Sequence, residues 1–500
     1  MPGVNLRKLL LPDTAFVCAM LTLFYCLFLA DGWQQLFRDS DSGWHIRTGE
    51  HILNTRSLPF ADPYSFTKPG QPWFAWEWGS DVLTAMAGSG GRGLAGIAVL
   101  YAAAIACATW MWWQLTWALG GDFLLGWLFA APMLSTTNLH WLARPHIFGW
   151  LLALGAVWIA ERGRSLILVA CVSMFWTNVH ASFFLLPLIL TMYAAGLSLG
   201  PLLFSAVEVD RPRVGWLLRA ALVGSVATLV NPYGWQVHRH VVEYLSNSEL
   251  IDRIAEFQSF NFHAEGTAQI MATLALAAAG GLLSLMQGNL PRFFLVMLFL
   301  PLGLRSARGL PLVALLLLPV ANGAIRRALM EARGLRDWLA WRVKAALRYS
   351  ARLREFDREF SGWALAPAVL ALVSIASREP VIQSRSGFPP SEFPVLAALE
   401  LEKLPVDARI LAPDKFGGYL IYRFDGQRKV FFDGRSDFYG SVFMKHYIGL
   451  VEVRPNWQEE LAKHGFTHAL LPNRYSLIPA LKKEGWRQVY TDEVATLLAR

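Results

Sequence analysis

Uncharged apolar runs recur along this chain, and the clearest, "LAGIAVLYAAAIACATWMWWQLTWAL" at 94–119, leaves few folds open to it. The apolar core of a bilayer takes roughly 20 helical residues to cross. Similar runs at 14–30, 123–141, 146–160, 165–178, 182–204, 214–230, 268–287, 292–304, 309–324 and 363–378 bring the expected number of transmembrane helices to about eleven. Only 16% of the 500 residues are charged, against about 25% in soluble chains, so lipid is the expected main solvent. The first run outlasts the roughly 7–15 apolar residues of a signal peptide, and no small-residue cleavage site precedes Asp31, so it reads as an uncleaved helix.

Basic residues set the orientation. The segment 325–358 holds ten Lys/Arg against four Asp/Glu, most of the chain's formal +8, and the positive-inside rule places it in the cytoplasm. Leu335, Trp338, Leu339, Trp341, Ala345 and Ala346 recur there at helical spacing, which makes it a basic amphipathic helix on anionic lipid. With the charge concentrated in that helix, a nucleic-acid partner is not expected. Arg7/Lys8, Arg162/Arg164 and Arg211/Arg213 fall on the same side. Loops 31–93, 142–145, 178–181, 231–267 and 305–308, and everything after about 379, face the other way.

Sorted by side, the polar residues are lopsided. Asp39, Asp41, His45, Asp62, Glu77, Arg144, His146, Asn178, His180, Asn231, His238, Arg305 and Arg308 all belong to the outer loops or outer helix ends. One outward-facing polar site is the simplest account. A transporter keeps ionisable or unwound elements near the bilayer midplane, often in repeated halves; here the midplane stretches are almost bare of charge and no repeat is found.

The motifs in those loops carry a resemblance. Asp39, Asp41, Trp44, His45, Ile46, Gly49 and Ile52 form a D-x-D-x-x-W-H-I-x-x-G-x-x-I start. It is followed by the D-P-Y-S turn of Asp62 to Ser65, the E-W pair Glu77-Trp78, R-P-H at Arg144 to His146, N-x-H at Asn178 to His180 and N-P-Y-G at Asn231 to Gly234. In this order they resemble an uncharacterised bacterial branch of the GT-C polytopic membrane glycosyltransferases, which use polyprenyl-phosphate-linked sugars. The resemblance implies a mainly α polytopic fold over 1–378, placed in the bacterial inner membrane with its N-terminus cytoplasmic. It also implies an inverting transfer of a sugar from a polyprenyl-phosphate donor to an extracytoplasmic glycan, lipid or protein acceptor.

Such a transfer needs a carboxylate to take the acceptor hydroxyl's proton and cations for the departing phosphate. Asp39 and Asp41 are the catalytic candidates. His45, Arg144, His146, His180, Arg305 and Arg308 are candidates for the phosphate side; Asp62, Glu77, Asp433, Arg435 and Asp437 for the acceptor side. Asp39 and Asp41 would also suit a divalent cation such as Mg or Mn, since hard cations favour carboxylate oxygens.

Plainer roles stay open at each position. Asp39 and Asp41 can cap a helix beginning near Ser42. His45 can be an interfacial residue, and Glu77 can pair with a local base. Arg144-Pro145-His146 can be a turn with Pro145 opening the next helix, and Asn231-Pro232 a helix end. His180 is costly to bury without a partner. Residues 231–267 suggest amphipathic helices over the site, with Glu256, His238 and His240 as further lining residues. His238 and His240, two apart on a helix, point away from each other, which argues against a shared metal.

After a Pro/Ser/Arg linker at 379–390 the composition changes, and 391–500 reads as a small extracytoplasmic α/β domain. Helices are expected at 391–403, 455–464 and 476–484. Strands are expected at ARILAP, GGYLIYRF, KVFFDG, THALLP and a final pair, WRQVYT and VATLLA. Gly417-Gly418 lacks phosphate-loop spacing. The four cysteines lie within expected spans and offer neither a disulfide framework nor a zinc pattern. The leading expectation is a membrane glycosyltransferase. The rivals are a non-catalytic scaffold or a component that exports polysaccharide or lipid-linked glycan.

Overall fold

A computed structural model describes residues 6–264 and 266–500. The first five residues of the 1–378 portion and Glu265 of the 231–267 region lie outside it. The chain is mostly helical, with one small sheet. The principal helices are α1 Thr14–Phe28, α2 Asp41–Thr55, α3 Trp78–Gly88, α4 Gly93–Ala118, α5 Phe123–Asn138, α6 His146–Arg162, α7 Leu166–Val179, α8 Leu185–Leu203 and α9 Arg211–Ala227. They continue with α10 Gln236–Ser246, α11 Thr267–Met286, α12 Leu290–Arg305, α13 Leu318–Glu331, α14 Asp337–Asp357 and α15 Leu365–Ala376. All eleven expected spans fall on helices. Among the described residues five helical stretches, Arg7–Phe28, Gly93–Ala118, Ala181–Leu203, Thr267–Met286 and Ala307–Glu331, are long and apolar enough to cross a membrane by length and composition.

Polar caps mark one end of the bundle. Asp13 accepts from the Phe16 N–H at 2.8 Å, Asp122 from Leu124 and Leu125, Asp210 from Arg213 and Asn289 from Arg292. These side chains satisfy N–H groups that the first turns of α1, α5, α9 and α12 leave free. The basic helix α14 packs at this same end. The Thr14 N–H donates to Asp357 at 2.7 Å, and the Arg354 guanidinium lies 4.1 Å from the Trp117 ring centre. Trp338 and Trp341 stay exposed, as a face laid on lipid would.

The opposite end carries α2, α3, α10 and the C-terminal portion. The sheet is mixed, ordered β1-β2-β4-β3, from β1 Ile410–Leu411, β2 His468–Pro472, β3 Arg487–Thr491 and β4 Ala495–Ala499. β1 runs parallel to β2, Ile410 opposite His468, and β4 runs antiparallel to both β2 and β3.

Two strand expectations fail here. GGYLIYRF lies in helix α16, Asp414–Arg423. Gly417 and Gly418 make that helix smooth enough to press against the Phe432 carbonyl and the Ser40 backbone, while Gly43 of α2 meets the Gly418 carbonyl, and none of these positions has room for a Cβ. KVFFDG forms only a bridge from Val430 to Ser65. A further helix, α17 at Ser436–Val451, was not expected. The C-terminal residues share their core with the helical portion. Phe388 packs on Phe37, Phe393, Tyr419 and Tyr422.

Candidate functional site

Helix α2 turns Asp41, Trp44, His45 and Thr48 to one buried face, as the i, i+3, i+4, i+7 spacing requires. Asp39 stands just before it, and its Oδ1 accepts the Asp41 N–H at 2.8 Å. The capping role therefore exists, and Asp39 has a second one. Its Oδ2 lies 2.8 Å from Arg144 Nη1, Asp41 Oδ2 lies 2.8 Å from Arg144 Nη2, and Glu256 Oε1 lies 2.6 Å from Arg144 Nη1. Three carboxylates from three parts of the chain thus close on one guanidinium. Arg308 supports the third, 3.4 Å from Glu256 Oε2.

Charge balance follows from that crowding. Burial, with Asp39 and Glu256 nearby, pushes the Asp41 carboxyl up to about 8 although Arg144 opposes it. For Glu256 burial also pushes upward, but Arg144 and Arg308 outweigh it and hold the carboxyl well below its usual range. Arg144 occupies Oδ2 of both Asp39 and Asp41, and Asp39 Oδ1 accepts the Asp41 N–H, so a divalent cation does not fit between the pair unless it displaces the guanidinium. Among the described residues no group of three His, Cys, Asp or Glu is placed to hold a metal.

A second cluster sits beside the first. Asp81, one turn after Glu77, has its Oδ1 2.6 Å from His45 Nδ1. His45 Nε2 lies 3.8 Å from Glu77 Oε2, and His180 Nε2 lies 3.6 Å from Glu77 Oε1. Burial lowers His45 well below the ordinary imidazole range and takes His180 to about 3, helped by Arg308 and Arg144. Burial raises Glu77 to about 7 and Asp81 well above the usual carboxylate range.

Three recesses meet at these clusters. A cavity of about 170 Å³ has Asp41, Trp44, Trp76, Glu77, Arg144, His180, Arg308, Arg435 and Asp437 in its wall. Beneath it lies an apolar cavity of about 300 Å³ between α6, α8 and α12, with Trp150, Leu185, Leu188, Leu298, Phe299 and Leu302 among its walls and His140 and His146 at its side. His180, Ser182, Phe184, Phe257 and Arg308 border both. A recess of about 260 Å³ approaches from the other side, past Arg38, Asp39, Asp41, Arg144, Glu256 and Lys415.

The C-terminal portion closes the polar cavity. Arg435 is 2% exposed; its Nη2 lies 2.8 Å from Asp62 Oδ1 and its Nε 2.8 Å from Asp433 Oδ1. The guanidinium is stacked within 4.7 Å of the Trp73 ring centre and 5.0 Å of that of Phe438, and Tyr439 donates to Asp433 at 2.8 Å. Gly434 backs onto Asp41 with no room for a Cβ. Asp437 pairs with His240 of α10 at 3.0 Å, which ties the outer helix to the C-terminal portion.

Of the sequence candidates, Asp41, Glu77, Arg144, His180, Arg308, Arg435 and Asp437 reach the polar cavity. Asp39 stands in the adjoining recess, His146 beside the apolar cavity, and His45 behind Glu77. Asp62 and Asp433 are buried partners of Arg435 rather than groups facing the cavity. Arg305 is exposed and stands in the wall of none of the three. Asn231 holds its turn by donating to the Thr228 carbonyl at 2.8 Å, and His238 meets Thr228 Oγ1 at 2.8 Å. Sequence reasoning passed over Asp81 as a site residue. The available signal was its spacing of four from Glu77, which puts both on one helix face.

Fold and site define a mostly helical membrane protein with a buried, charged pocket that adjoins an apolar one. No protein-family model matches the chain, and no curated protein matches it. Among solved structures it is similar to the oligosaccharyltransferase of Archaeoglobus fulgidus. The apo form aligns at 12% identity over 92% of this chain and 69% of that one, with a TM-score of 0.49. The complex with zinc and sulfate aligns at 12% identity over 92% and 68%, with a TM-score of 0.48.

Proposed function

We propose that the chain is a membrane glycosyltransferase that moves a sugar from a polyprenyl-phosphate donor to an extracytoplasmic glycan, lipid or protein acceptor. The observation that carries the reading is the position of Arg308, on the border between the polar cavity and the apolar one. A lipid phosphate has the same layout, an apolar chain joined to a charged, hydroxylated head. The chain would lie in the apolar cavity, the phosphate at Arg308 and Arg144, and the sugar among the polar groups. The acceptor would arrive through the recess past Lys415.

In this reading Asp39, Asp41 and Glu256 are positioning residues that fix Arg144, and Arg144 with Arg308 stabilises the charge that grows on the phosphate as the glycosidic bond breaks. The polar-capped end with α14 faces the cytoplasm of an inner membrane. The site and the region 391–500 face the opposite side. The test uses membranes whose polyprenyl-phosphate sugars have been radiolabelled by feeding labelled monosaccharide. Wild-type chain transfers label to a non-lipid or second lipid product. Arg308→Ala lowers that transfer by about 10²-fold or more while the thermal transition of the purified chain is kept. Transfer that is insensitive to Arg308→Ala overturns the reading.

A further inference from the structure

The Asp81–His45–Glu77 line has no part in holding phosphate, and its geometry has a direction. Asp81 is 1% exposed, and His45 likewise; Glu77 is the member that reaches the cavity. Ser182 fixes the orientation of the neighbouring imidazole, since its backbone N–H donates to His180 Nδ1 at 3.3 Å. That leaves His180 Nε2 to carry the proton, and this atom, unpartnered among the described residues, points at Glu77. On the far side, His45 Nδ1 is held by Asp81, so its Nε2 also faces Glu77. Asp81 Oδ2 has no partner among the described residues either.

We propose that Glu77 is the proton acceptor of this site, with Asp81 fixing His45 so that His45 and His180 each turn an Nε2–H towards one of its oxygens. The proposal rests on the transfer reading above and replaces the expectation that Asp39 or Asp41 is the base. Both of those carboxylates are engaged with Arg144, whereas Glu77, among the described residues, has only the imidazoles of His45 and His180 within ion-pair reach and faces the cavity. In the step, the acceptor hydroxyl gives its proton to a Glu77 oxygen as its own oxygen bonds to the anomeric carbon. The bond from that carbon to the phosphate oxygen breaks, and its electron pair leaves with the lipid phosphate. The proton stays on Glu77 and leaves through the cavity, because burial keeps a proton on Asp81 as well and the His45–Asp81 pair has no vacancy to take another. The contacts of 3.6 and 3.8 Å to Glu77 are those of a site without substrate, and they need only a small closure to become hydrogen bonds.

The groups that face Glu77 set its titration. Asp81 lies behind His45, and the Ala181 backbone N–H also reaches the carboxylate. Arg308 and Arg144 lower it and Asp437 raises it at longer range, but burial is the largest influence and takes it to about 7. A base is most effective when it titrates near the working pH.

Two measurements on the full chain test this. Infrared difference titration of the protein in nanodiscs should show a protonated carboxyl band lost as pH rises through about 7. That band should be absent in Glu77→Gln and moved to higher pH in His45→Leu, which removes an N–H that favours the carboxylate. A band unchanged by Glu77→Gln, or a midpoint unmoved by His45→Leu, overturns the proposal whether or not transfer is seen. In the radiolabelled membranes, Glu77→Gln should lower transfer about 10²-fold or more and abolish the acid limb of its pH profile, while Asp41→Asn keeps that limb. If the limb instead follows Asp41→Asn, Asp41 is the base and Glu77 is not, and the transfer reading stands. If wild-type membranes show no transfer, that reading fails while the infrared result still judges the Glu77 site.

Discussion

Arg144 Nη2 lies 2.8 Å from Asp41 Oδ2, and the same guanidinium is gripped by Asp39 and by Glu256 from the outer region of the chain. One cation therefore ties together three acidic groups, of which Asp41 is the most deeply buried. Its removal leaves Asp39 and Asp41, among the described residues, without a paired cation and Glu256 with Arg308 alone.

Replacing that cation should thus cost more than an ordinary surface pair. Arg144→Ala is expected to lower stability by about 3–5 kcal/mol, the usual range for breaking a buried ion pair on one side. Arg144→Lys should recover part of the loss, because it restores the charge but not the fork that serves two carboxylates at once. Unfolding of the detergent-solubilised chain by denaturant, followed by tryptophan fluorescence, measures both.

Arg435 gives a parallel case outside the helical bundle. It joins Asp62 of the first outer loop to Asp433 of the C-terminal portion. Arg435→Leu fills the space between the aromatic rings but leaves two carboxylates unpaired. It should destabilise by about 3–5 kcal/mol and open the 60–75 and 430–440 segments to limited proteolysis together. If only one segment becomes sensitive, the guanidinium is not what joins them.

Much of this was legible in the sequence, and the reason is lipid. Apolar runs and basic turns are read on the scale of 20 residues, so the helices of the bundle and the polar end shared by Asp39, Arg144, His180 and Arg308 followed from hydropathy and charge alone. Pairings did not follow. Nothing local says that Asp433 is the partner of Arg435 beneath Trp73, or that Asp39 and Asp41 are both engaged with Arg144 rather than free. Asp81 was hidden because its function depends on His45, which a different helix supplies. GGYLIYRF misled because its aromatic and branched residues favour a strand, while the two glycines serve close helix packing that only tertiary contact reveals.

Asp41 makes stability depend on pH in a defined direction. Its folded carboxyl titrates near 8, above the unfolded value of about 4. Between those values the folded state holds a proton that the unfolded state has lost, so stability is fully present below about pH 4 and declines as pH rises toward 8. One such group contributes a slope of at most about 1.4 kcal/mol per pH unit. Glu77, raised to about 7, adds to the same slope, whereas Glu256, held low by Arg144 and Arg308, contributes its stability above about pH 4 and cannot cause the decline. Asp41→Asn should therefore flatten the fall between pH 5 and 8, as read from thermal unfolding midpoints across that range. An unchanged slope in the variant would show that Asp41 is ionised throughout.

The apolar cavity offers the sharpest separation between a lipid-linked substrate and a water-soluble one. Leu188 of α8 and Leu298 of α12 stand in its wall, while Glu77 and Asp437 stand in the wall of the polar cavity and not of this one. Leu298→Trp fills part of the space that a polyprenyl chain would use and replaces none of the charged groups. It should weaken binding of a long-chain polyprenyl phosphate by about 10-fold or more, a change of about 1.4 kcal/mol, yet leave binding of a short, water-soluble prenyl phosphate nearly unchanged. Isothermal titration with the two ligands gives the comparison. Equal losses for both would mean that the substitution has distorted Arg308, and no loss for either would mean that the lipid chain lies elsewhere.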